Sequence, residues 1–367
     1  MKRLIWSAPA SLLYSGIILI SILVQVLAAQ TLPDKLLLRD YRPESLYNIP
    51  KTDVQKAKYR AIDAHSHVYA ETREEIAEWV RTMDEVGLEK VIVMTMATGA
   101  RFDSIYAEYA QYPGRFEVWC GFDYAGYDEP GFGPSAVAEL ERCAKVGATG
   151  VGELGDKGKG LYYSKPVKAW GMHIDDPRMD PLLEKCGELG LPINIHVGEP
   201  LWFYAPMDST NDGLMSAFDW RLDNQKDIVD LAGMVDILDR AVQRHPNTTF
   251  IACHLANLNH DLARLGELLD EHPNLYADIS ARYAEAATIP RFAQAFMEKY
   301  QDRLLYGTDL GNAPEMYRMT FRILESNDEH FYEVDELQYH WPLYGLNLDQ
   351  RALKKIYRTN ILKILNK

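Results

Sequence analysis

The chain has 367 residues, of which 47% are hydrophobic and 25% are charged, a composition typical of an ordered globular protein. Its formal net charge of -14 gives it little electrostatic reason to bind nucleic acid or an anionic membrane. The four cysteines are scattered without CxxC or ladder spacing, which excludes a disulfide scaffold and favours buried free thiols.

Residues 1–28 have the pattern of a secretory signal peptide. Lys2 and Arg3 precede an uncharged stretch with the apolar centre IILISILVQVLA, and Val26 and Ala28 form a small-residue cleavage site. We therefore predict export, to the periplasm or the medium. The alternative is an uncleaved membrane anchor, because about 18 apolar residues just span a bilayer. Only that form would contact a membrane.

We expect residues 29–59 to form an irregular lead-in and residues 60–367 to form the main domain. In the main domain, short β-rich apolar runs alternate with helical patterns. The predicted strands lie at 60–69, 90–97, 116–124, 148–154, 192–197, 249–256, 274–281 and 303–310. Strands separated by helices in this way indicate an α/β fold of the (β/α)₈ TIM-barrel type. A doubly wound open sheet is the alternative, but no glycine-rich phosphate fingerprint follows the first strand.

Helical periodicity is clearest at 73–87, 135–147, 230–247 and 348–365, and Asp349 is the candidate N-cap of the last helix.

Two connections are long, at 155–181 and 199–225, and loops of that length are usually functional. The second is rich in aromatic residues. They would either cover an aromatic or sugar-like substrate or pack onto the barrel itself; the candidates are Trp202, Tyr204 and Trp220.

Polar side chains stand at the carboxyl ends of four predicted strands, where barrel enzymes build their sites: His65 and His67, His196, His254, and Asp309. Burying imidazoles beside a carboxylate without a partner is costly. A divalent metal removes this conflict, because it binds neutral imidazole nitrogen and carboxylate oxygen directly. The sequence therefore predicts a metal site at this end of the barrel.

The two-residue period of a strand gives further expectations for individual side chains. It places Asp63 on the same face as His65 and His67 but one step deeper, where it would orient an imidazole. It also directs Cys253 away from His254 and toward the helix layer.

The four strand-end motifs together resemble the amidohydrolase superfamily. They are Asp63-x-His65-x-His67, IHVGEP, ACHLA and YGTD. The nearest resemblance is to the amidohydrolase-related family (amidohydrolase 2), which includes mononuclear zinc hydrolases and aromatic-acid decarboxylases, and it covers residues 60–365. It implies a TIM barrel of the metallo-dependent hydrolase type.

The resemblance also implies roles for the strand-end residues. His65, His67, His196 and Asp309 would bind one Zn²⁺, with two ions or another divalent metal as alternatives. Asp309 would serve as the base for the attacking water, and His254 would polarise the substrate carbonyl or transfer a proton. Metal chemistry agrees, because a bound divalent ion lowers the pKa of water and a nearby carboxylate can take its proton.

One position departs from the pattern of many binuclear members, which have a carboxylated lysine at the end of the fourth strand. Here the position is occupied by Glu153, which resembles the bridging glutamate of some binuclear barrel hydrolases. A supporting role behind the ligands is equally open. Lys157 and Lys159 would either hold a substrate anion or lie in solvent, and Arg282 would either clamp a substrate carboxylate or form a structural ion pair.

We therefore expect an exported metal-dependent hydrolase that cleaves an ester, lactone or amide bond of a small molecule. A non-oxidative decarboxylase of a small aromatic or unsaturated acid is the alternative, and a catalytically inactive binding barrel is the third hypothesis. The sequence leaves a homo-oligomer open. The remaining histidines away from strand ends are expected to be structural, and they include His173, His260 and His340.

Overall fold

The computed structural model describes residues 33–162 and 167–366, so the predicted signal peptide lies outside the described residues. The chain divides into two units, one ending at Pro43 and one beginning at Glu44. The described part of the first unit contains two short 3₁₀ turns, Pro33–Lys35 and Leu38–Asp40. Among the described residues, no helix has the length and apolar character needed to cross a membrane.

Parallel strands form the centre of the second unit and follow one another in the predicted order. Eight of them are found in the described residues: β1 Ala61–Ser66, β2 Leu88–Met94, β3 Phe116–Trp119, β4 Val151–Asp156, β5 Ile193–Val197, β6 Phe250–Cys253, β7 Leu275–Asp278 and β8 Leu304–Leu305. Regular pairing gives a sheet of β1 to β3 and a sheet of β4 to β8. The expected α/β class is therefore confirmed.

Irregular backbone hydrogen bonds join these two sheets into a closed ring. On one side, Gly152 N donates to Cys120 O over 2.9 Å. On the other, Ala64 N donates to Tyr306 O over 2.9 Å, and the backbone N–H of Asp309 donates to His65 O over 3.0 Å. A closed parallel ring surrounded by helices is a TIM barrel, which excludes the open sheet.

Helices follow the strands and cover the outside of the ring: α1 Arg73–Val86, α2 Gly99–Tyr109, α3 Pro134–Val146, α4 Asp180–Leu189, α5 Leu231–Arg244, α6 Leu262–Glu271, α7 Pro290–Lys299 and α8 Pro314–Glu325. Several start at side chains that accept from the first free N–H groups. Thr72 and Glu75 form a capping box on α1, and Asp230 and Asp261 cap α5 and α6.

The C-terminal helix closes the end of the barrel opposite the predicted site. It comprises Gln350–Lys354, a π-helical turn Lys355–Thr359 and Asn360–Ile364, and Asp349 caps it as predicted, accepting from Ala352 N. Ile361 and Ile364 pack against an apolar plug inside the barrel, formed by residues such as Ile62, Trp119, Ile251 and Leu305. With the lower interior filled in this way, space for ligands remains at the carboxyl ends of the strands.

The long connections contain more regular structure than expected. The first includes a small hairpin, Gly160–Leu161 with Ala169–Trp170, and a 3₁₀ turn, Pro177–Met179. The second includes the turns Leu201–Tyr204, Leu214–Ala217 and Phe218–Trp220. A short helix, Tyr283–Thr288, precedes α7. A third long connection after α8, not anticipated from the sequence, contains Val334–Leu337.

Candidate metal centre

His65 is held at the end of β1 by a buried carboxylate on β7. Its Nδ1 lies 3.0 Å from Asp278 Oδ2, which also accepts from Asn194 Nδ2 over 2.9 Å. Because an ionised carboxylate only accepts, the His65 proton sits on Nδ1 and the Nε2 lone pair is directed into the site. This Nε2 is buried and has no hydrogen-bond partner.

Two more histidines have the same arrangement. His67 Nδ1 lies 3.1 Å from Met94 O, a carbonyl that can only accept. His254 Nδ1 lies 3.1 Å from Ser280 O and 2.7 Å from Ser280 Oγ, a hydroxyl that itself donates to Asp278. Each Nδ1 therefore carries a proton, and each Nε2 faces the site, where the neutral ring offers a lone pair.

Two carboxylates face these lone pairs. Glu153 on β4 has Oε2 3.3 Å from His67 Nε2 and Oε1 3.5 Å from His254 Nε2. Asp309, just beyond β8, has Oδ1 3.1 Å from His67 Nε2 and Oδ2 3.5 Å from His254 Nε2. His65 Nε2 lies 3.8 Å from Asp309 and 4.0 Å from Glu153.

A cation between these groups would resolve an electrostatic conflict. Burial lowers the pKa of His254 to about 4 despite its carboxylate neighbours, so this ring is neutral near pH 7 and its lone pair faces two negative oxygens. Burial raises the pKa of Glu153, but its contacts with His196, His254 and His67 outweigh burial and hold that pKa well below the usual range. Burial lowers the pKa of His65 and of His67, but neighbouring carboxylates raise both above the usual value, so a metal bound there would take the place of a proton. Carboxylate oxygens and imidazole nitrogens facing one point fit a divalent metal.

His196, at the end of β5, lies between two acids. Its Nδ1 is 2.9 Å from Glu153 Oε1, and its Nε2 is 3.6 Å from Glu199 Oε2. Burial lowers the pKa of His196, but Glu199 and Glu153 raise it to about 9. Burial likewise raises the pKa of Glu199, and the positive groups His196, Lys157 and Arg282 lower it to about 2. Glu199 was not anticipated, because one acid in a loop gives no periodic signal.

Two expectations from strand period are corrected. Cys253 does not point to the helix layer, because its Sγ lies 3.2 Å from Glu153 Oε1. The extended backbone ends at Cys253: His254 has φ 4° and ψ 71°, and residues 255–257 have φ values of 53° to 55°. Alternation therefore stops, and both side chains face the site. Asp63 accepts from the backbone N–H groups of His65 and Thr308 rather than from an imidazole ring.

The turn at 255–257 is fixed by Asn257. Its Nδ2 donates to Val197 O over 3.1 Å and to Gly198 O over 3.3 Å, and its Oδ1 accepts from Arg282 Nε over 3.0 Å. Left-handed backbone costs roughly 1–2 kcal/mol per non-glycine residue. These bonds offset part of that cost and attach β6 to β5 at the rim of the site.

Comparison with known proteins agrees with this geometry. A family model described as amidohydrolase matches residues 62–367. The chain belongs to the amidohydrolase family. Members of this family are metal-dependent enzymes, so this amidohydrolase is an enzyme of that kind. No curated protein matches the chain significantly.

Solved structures show the same fold as this amidohydrolase. A 2,6-dihydroxybenzoate decarboxylase complexed with 2,6-dihydroxybenzoate is similar over 85% of this chain and 99% of its own, with 17% identity and a TM-score of 0.53. A putative amidohydrolase from Staphylococcus aureus is similar over 84% of this chain and 100% of its own, with 15% identity and a TM-score of 0.54. At these identities the likeness concerns the barrel alone.

A cavity of about 250 Å³ opens above the amidohydrolase centre. His196, His254 and Asp309 form part of its wall, together with the paired groups Glu199, Lys157 and Arg282. Lys157 forms an ion pair with Glu199, and Arg282 Nη2 lies 3.7 Å from Glu199 Oε2. Lys159 is not among the lining residues.

The aromatic-rich connection at 199–225 of the amidohydrolase lines the cavity with residues other than Trp202 and Tyr204. Those two pack in the loop's own apolar cluster around Phe203 and Leu222, and neither lines the cavity. Phe203 and Trp220 do line it, and the unanticipated third connection adds Glu336, Leu337, Gln338 and Tyr339.

Other predicted features are found where they were expected. Among the described residues all four cysteines are free and buried. His173 pairs with Asp156 over 2.6 Å, and neither belongs to the metal-binding groups of the described residues. Asp278 was missed, although an isolated acid in the apolar strand NLYADISA is the same signal that singled out Asp63.

Proposed function

We propose that this protein is an exported, zinc-dependent hydrolase that cleaves an ester, lactone or amide bond of a small uncharged molecule. The observation that carries the proposal is the convergence of three imidazole Nε2 atoms on two carboxylates below an open cavity. His65, His67 and Asp309 have donor atoms close enough together to hold one ion, and Glu153 Oε2 faces the same point. Imidazole and carboxylate donors suit Zn²⁺.

The ion, when bound, acts as a Lewis acid and lowers the pKa of water toward neutrality. Asp309 is the group best placed to take the proton, because it belongs to the metal cluster and also lines the cavity. Burial raises the pKa of Asp309, but His65, His67 and His254 hold it below its usual range. Tyr69 O–H donates to Asp309 Oδ1 over 3.2 Å and fixes its orientation.

His254 contributes in its neutral form. Its Nδ1–H is committed to Ser280, so its Nε2 accepts rather than donates. We therefore propose that His254 first acts as a metal ligand or proton acceptor, and that it polarises a substrate oxygen only after it has gained a proton. His196, predicted as a ligand, would orient Glu153 through the 2.9 Å contact of its Nδ1.

The pairing of charges in the cavity supports hydrolysis over decarboxylation. A decarboxylase must bind a substrate carboxylate. The lining cations Lys157 and Arg282 both lie against Glu199. A substrate carboxylate would have to compete with Glu199 for these cations, whereas a neutral molecule needs no such exchange.

The test is metal analysis combined with a substrate panel. The double variant His65→Ala, His67→Ala should lose zinc and turnover together, whereas His260→Ala, at an exposed histidine outside the centre, should keep both. Asp309→Asn should lower kcat by about 10²- to 10⁴-fold, the usual contribution of a positioned base. Full turnover by the double variant contradicts metal dependence. Carbon dioxide release from hydroxybenzoates, without hydrolysis of lactones or esters, establishes the decarboxylase instead.

Export is proposed from residues 1–28 alone and has its own test. The full-length protein should be found outside the cytoplasm with a mature N-terminus at Ala29. A membrane-bound protein that still begins at Met1 indicates the anchor.

A further inference from the structure

Cys253 is buried, but its thiol contacts polar groups rather than the apolar core. Its side chain is fully buried, and its Sγ is 3.2 Å from Glu153 Oε1. The same oxygen lies 2.9 Å from His196 Nδ1 and 3.5 Å from His254 Nε2. Three potential metal donors on two neighbouring strands thus surround one carboxylate oxygen.

The carboxylate of Glu153 separates two groups of donors. Oε2 faces the histidines of β1, with His67 Nε2 at 3.3 Å. Oε1 faces Cys253 and His254 at the end of β6. A carboxylate with donors at both oxygens is the geometry of a bridge between two ions, so a second position lies on the Oε1 side.

Two donor spacings at this second position are close to those of tetrahedral coordination. With zinc–sulfur bonds near 2.3 Å and zinc–nitrogen bonds near 2.0–2.1 Å, adjacent donors lie roughly 3.3–3.6 Å apart. The distances from Glu153 Oε1 to Cys253 Sγ and to His254 Nε2 are 3.2 and 3.5 Å. The donor atoms of Cys253, His254, Glu153 and His65 all lie within 4.8 Å of one another.

A second observation, independent of the cysteine, points to a ligand here. His65 Nε2 is buried, has no hydrogen-bond partner and lies within 4.8 Å of the donor atoms of this group, as it does of those of His67 and Asp309. A buried lone pair without a donor is costly unless a cation satisfies it. The fully buried Cys186 differs, because no metal-binding group that includes it is found among the described residues.

We propose that Cys253 supplies a thiolate ligand to a second metal position, which it shares with His254 and the bridging Glu153. This inference rests on the proposed metal-dependent function. On binding, the Cys253 S–H bond breaks, the sulfur–metal bond forms and the proton passes to solvent, with no electron transferred. A sulfur ligand makes this position selective for zinc, cobalt or cadmium over magnesium and manganese.

The experiment uses the full-length protein loaded with Co²⁺, whose thiolate complexes absorb strongly in the near ultraviolet through sulfur-to-metal charge transfer. The wild type should bind a second equivalent of Co²⁺ that produces this band. Cys253→Ser should lose the band and the second equivalent but keep the first. Cys186→Ser, a matched change at a buried thiol outside the centre, should keep both.

X-ray absorption on the zinc-loaded wild type is independent of whether either variant folds. It should reveal a sulfur neighbour at about 2.3 Å from zinc. Bound zinc with only nitrogen and oxygen neighbours, or a charge-transfer band that survives in Cys253→Ser, overturns the thiolate and leaves the hydrolase proposal standing. A protein that binds no metal refutes the proposed function itself.

Discussion

Replacing Asp278 by asparagine tests whether the buried acid behind His65 controls metal affinity. Oδ2 of Asp278 accepts from His65 Nδ1 and Asn194 Nδ2, and Oδ1 accepts from the N–H and O–H of Ser280. All four contacts need an acceptor oxygen. The carboxylate of Asp278 has two such oxygens, whereas the amide of an asparagine has one and replaces the other by an NH₂ donor. If its NH₂ faces His65, the ring must move its proton to Nε2 and lose the lone pair that binds metal. If the NH₂ faces Ser280, a buried backbone N–H loses its partner.

The expected loss in metal affinity is about 10- to 100-fold, the usual effect of removing the group that orients a ligand. This corresponds to roughly 1.4–2.7 kcal/mol. The assay is a competition titration of the apoprotein against a chromophoric zinc chelator. Thermal unfolding of the metal-free protein measures any separate loss of stability.

Asp328→Asn provides a matched control. Asp328 is also buried and accepts from Thr52 N and Thr52 Oγ1, and its Oδ2 lies 2.8 Å from Arg322 Nε, yet it belongs to none of the metal-binding groups of the described residues. This variant should lose stability but bind zinc as the wild type does. Equal affinity in Asp278→Asn and Asp328→Asn would refute the orienting role.

Three further substitutions test other contacts. The hydrogen bond to Asp156 raises the pKa of His173. The stability that this pair adds to the fold is therefore complete below about pH 6.5 and is lost as pH rises through the folded pKa. His173→Asn should lower the melting temperature more at pH 6 than at pH 9, and equal losses at the two pH values would contradict this prediction. Asn257→Ala removes the oxygen to which Nε and Nη2 of the buried Arg282 donate, and it should cost about 1–3 kcal/mol in urea unfolding. An unchanged midpoint would contradict the anchoring role. Gly307→Ala places a Cβ 2.6 Å from His65 Cβ, so zinc affinity should fall; wild-type affinity would mean that β1 yields without displacing the ring.

Apolar strands and helix caps made the barrel predictable from the sequence. Alternating strand and helix patterns, with Asp349 as a cap, depend on local chemistry that each segment carries by itself. The ends of the strands were less predictable. β8 has only two regularly paired residues, and β3 ends at Trp119, because closure of the ring there uses single backbone bonds rather than a continuous ladder.

Side-chain direction within the centre shows the same limit. His65 and His67 face the metal position because β1 is extended and alternation holds. At Cys253 the prediction was wrong, because the left-handed turn that follows depends on Asn257, whose partners lie on other strands. The role of Glu199 was equally hidden, since it arises only when Lys157 and Arg282 are brought beside it by folding.

The metal centre needs residues from both β1 and the end of β8, so it can form only after nearly the whole chain has been synthesised. His65 emerges from the ribosome early, whereas Asp309 emerges late and the C-terminal helix that closes the barrel emerges last. A nascent or truncated chain therefore presents histidines without the acid and the rigid wall that fix them. Contacts so distant in sequence form late in folding. A chain that crosses a membrane unfolded would acquire its metal on the far side, from the supply of the compartment in which it works.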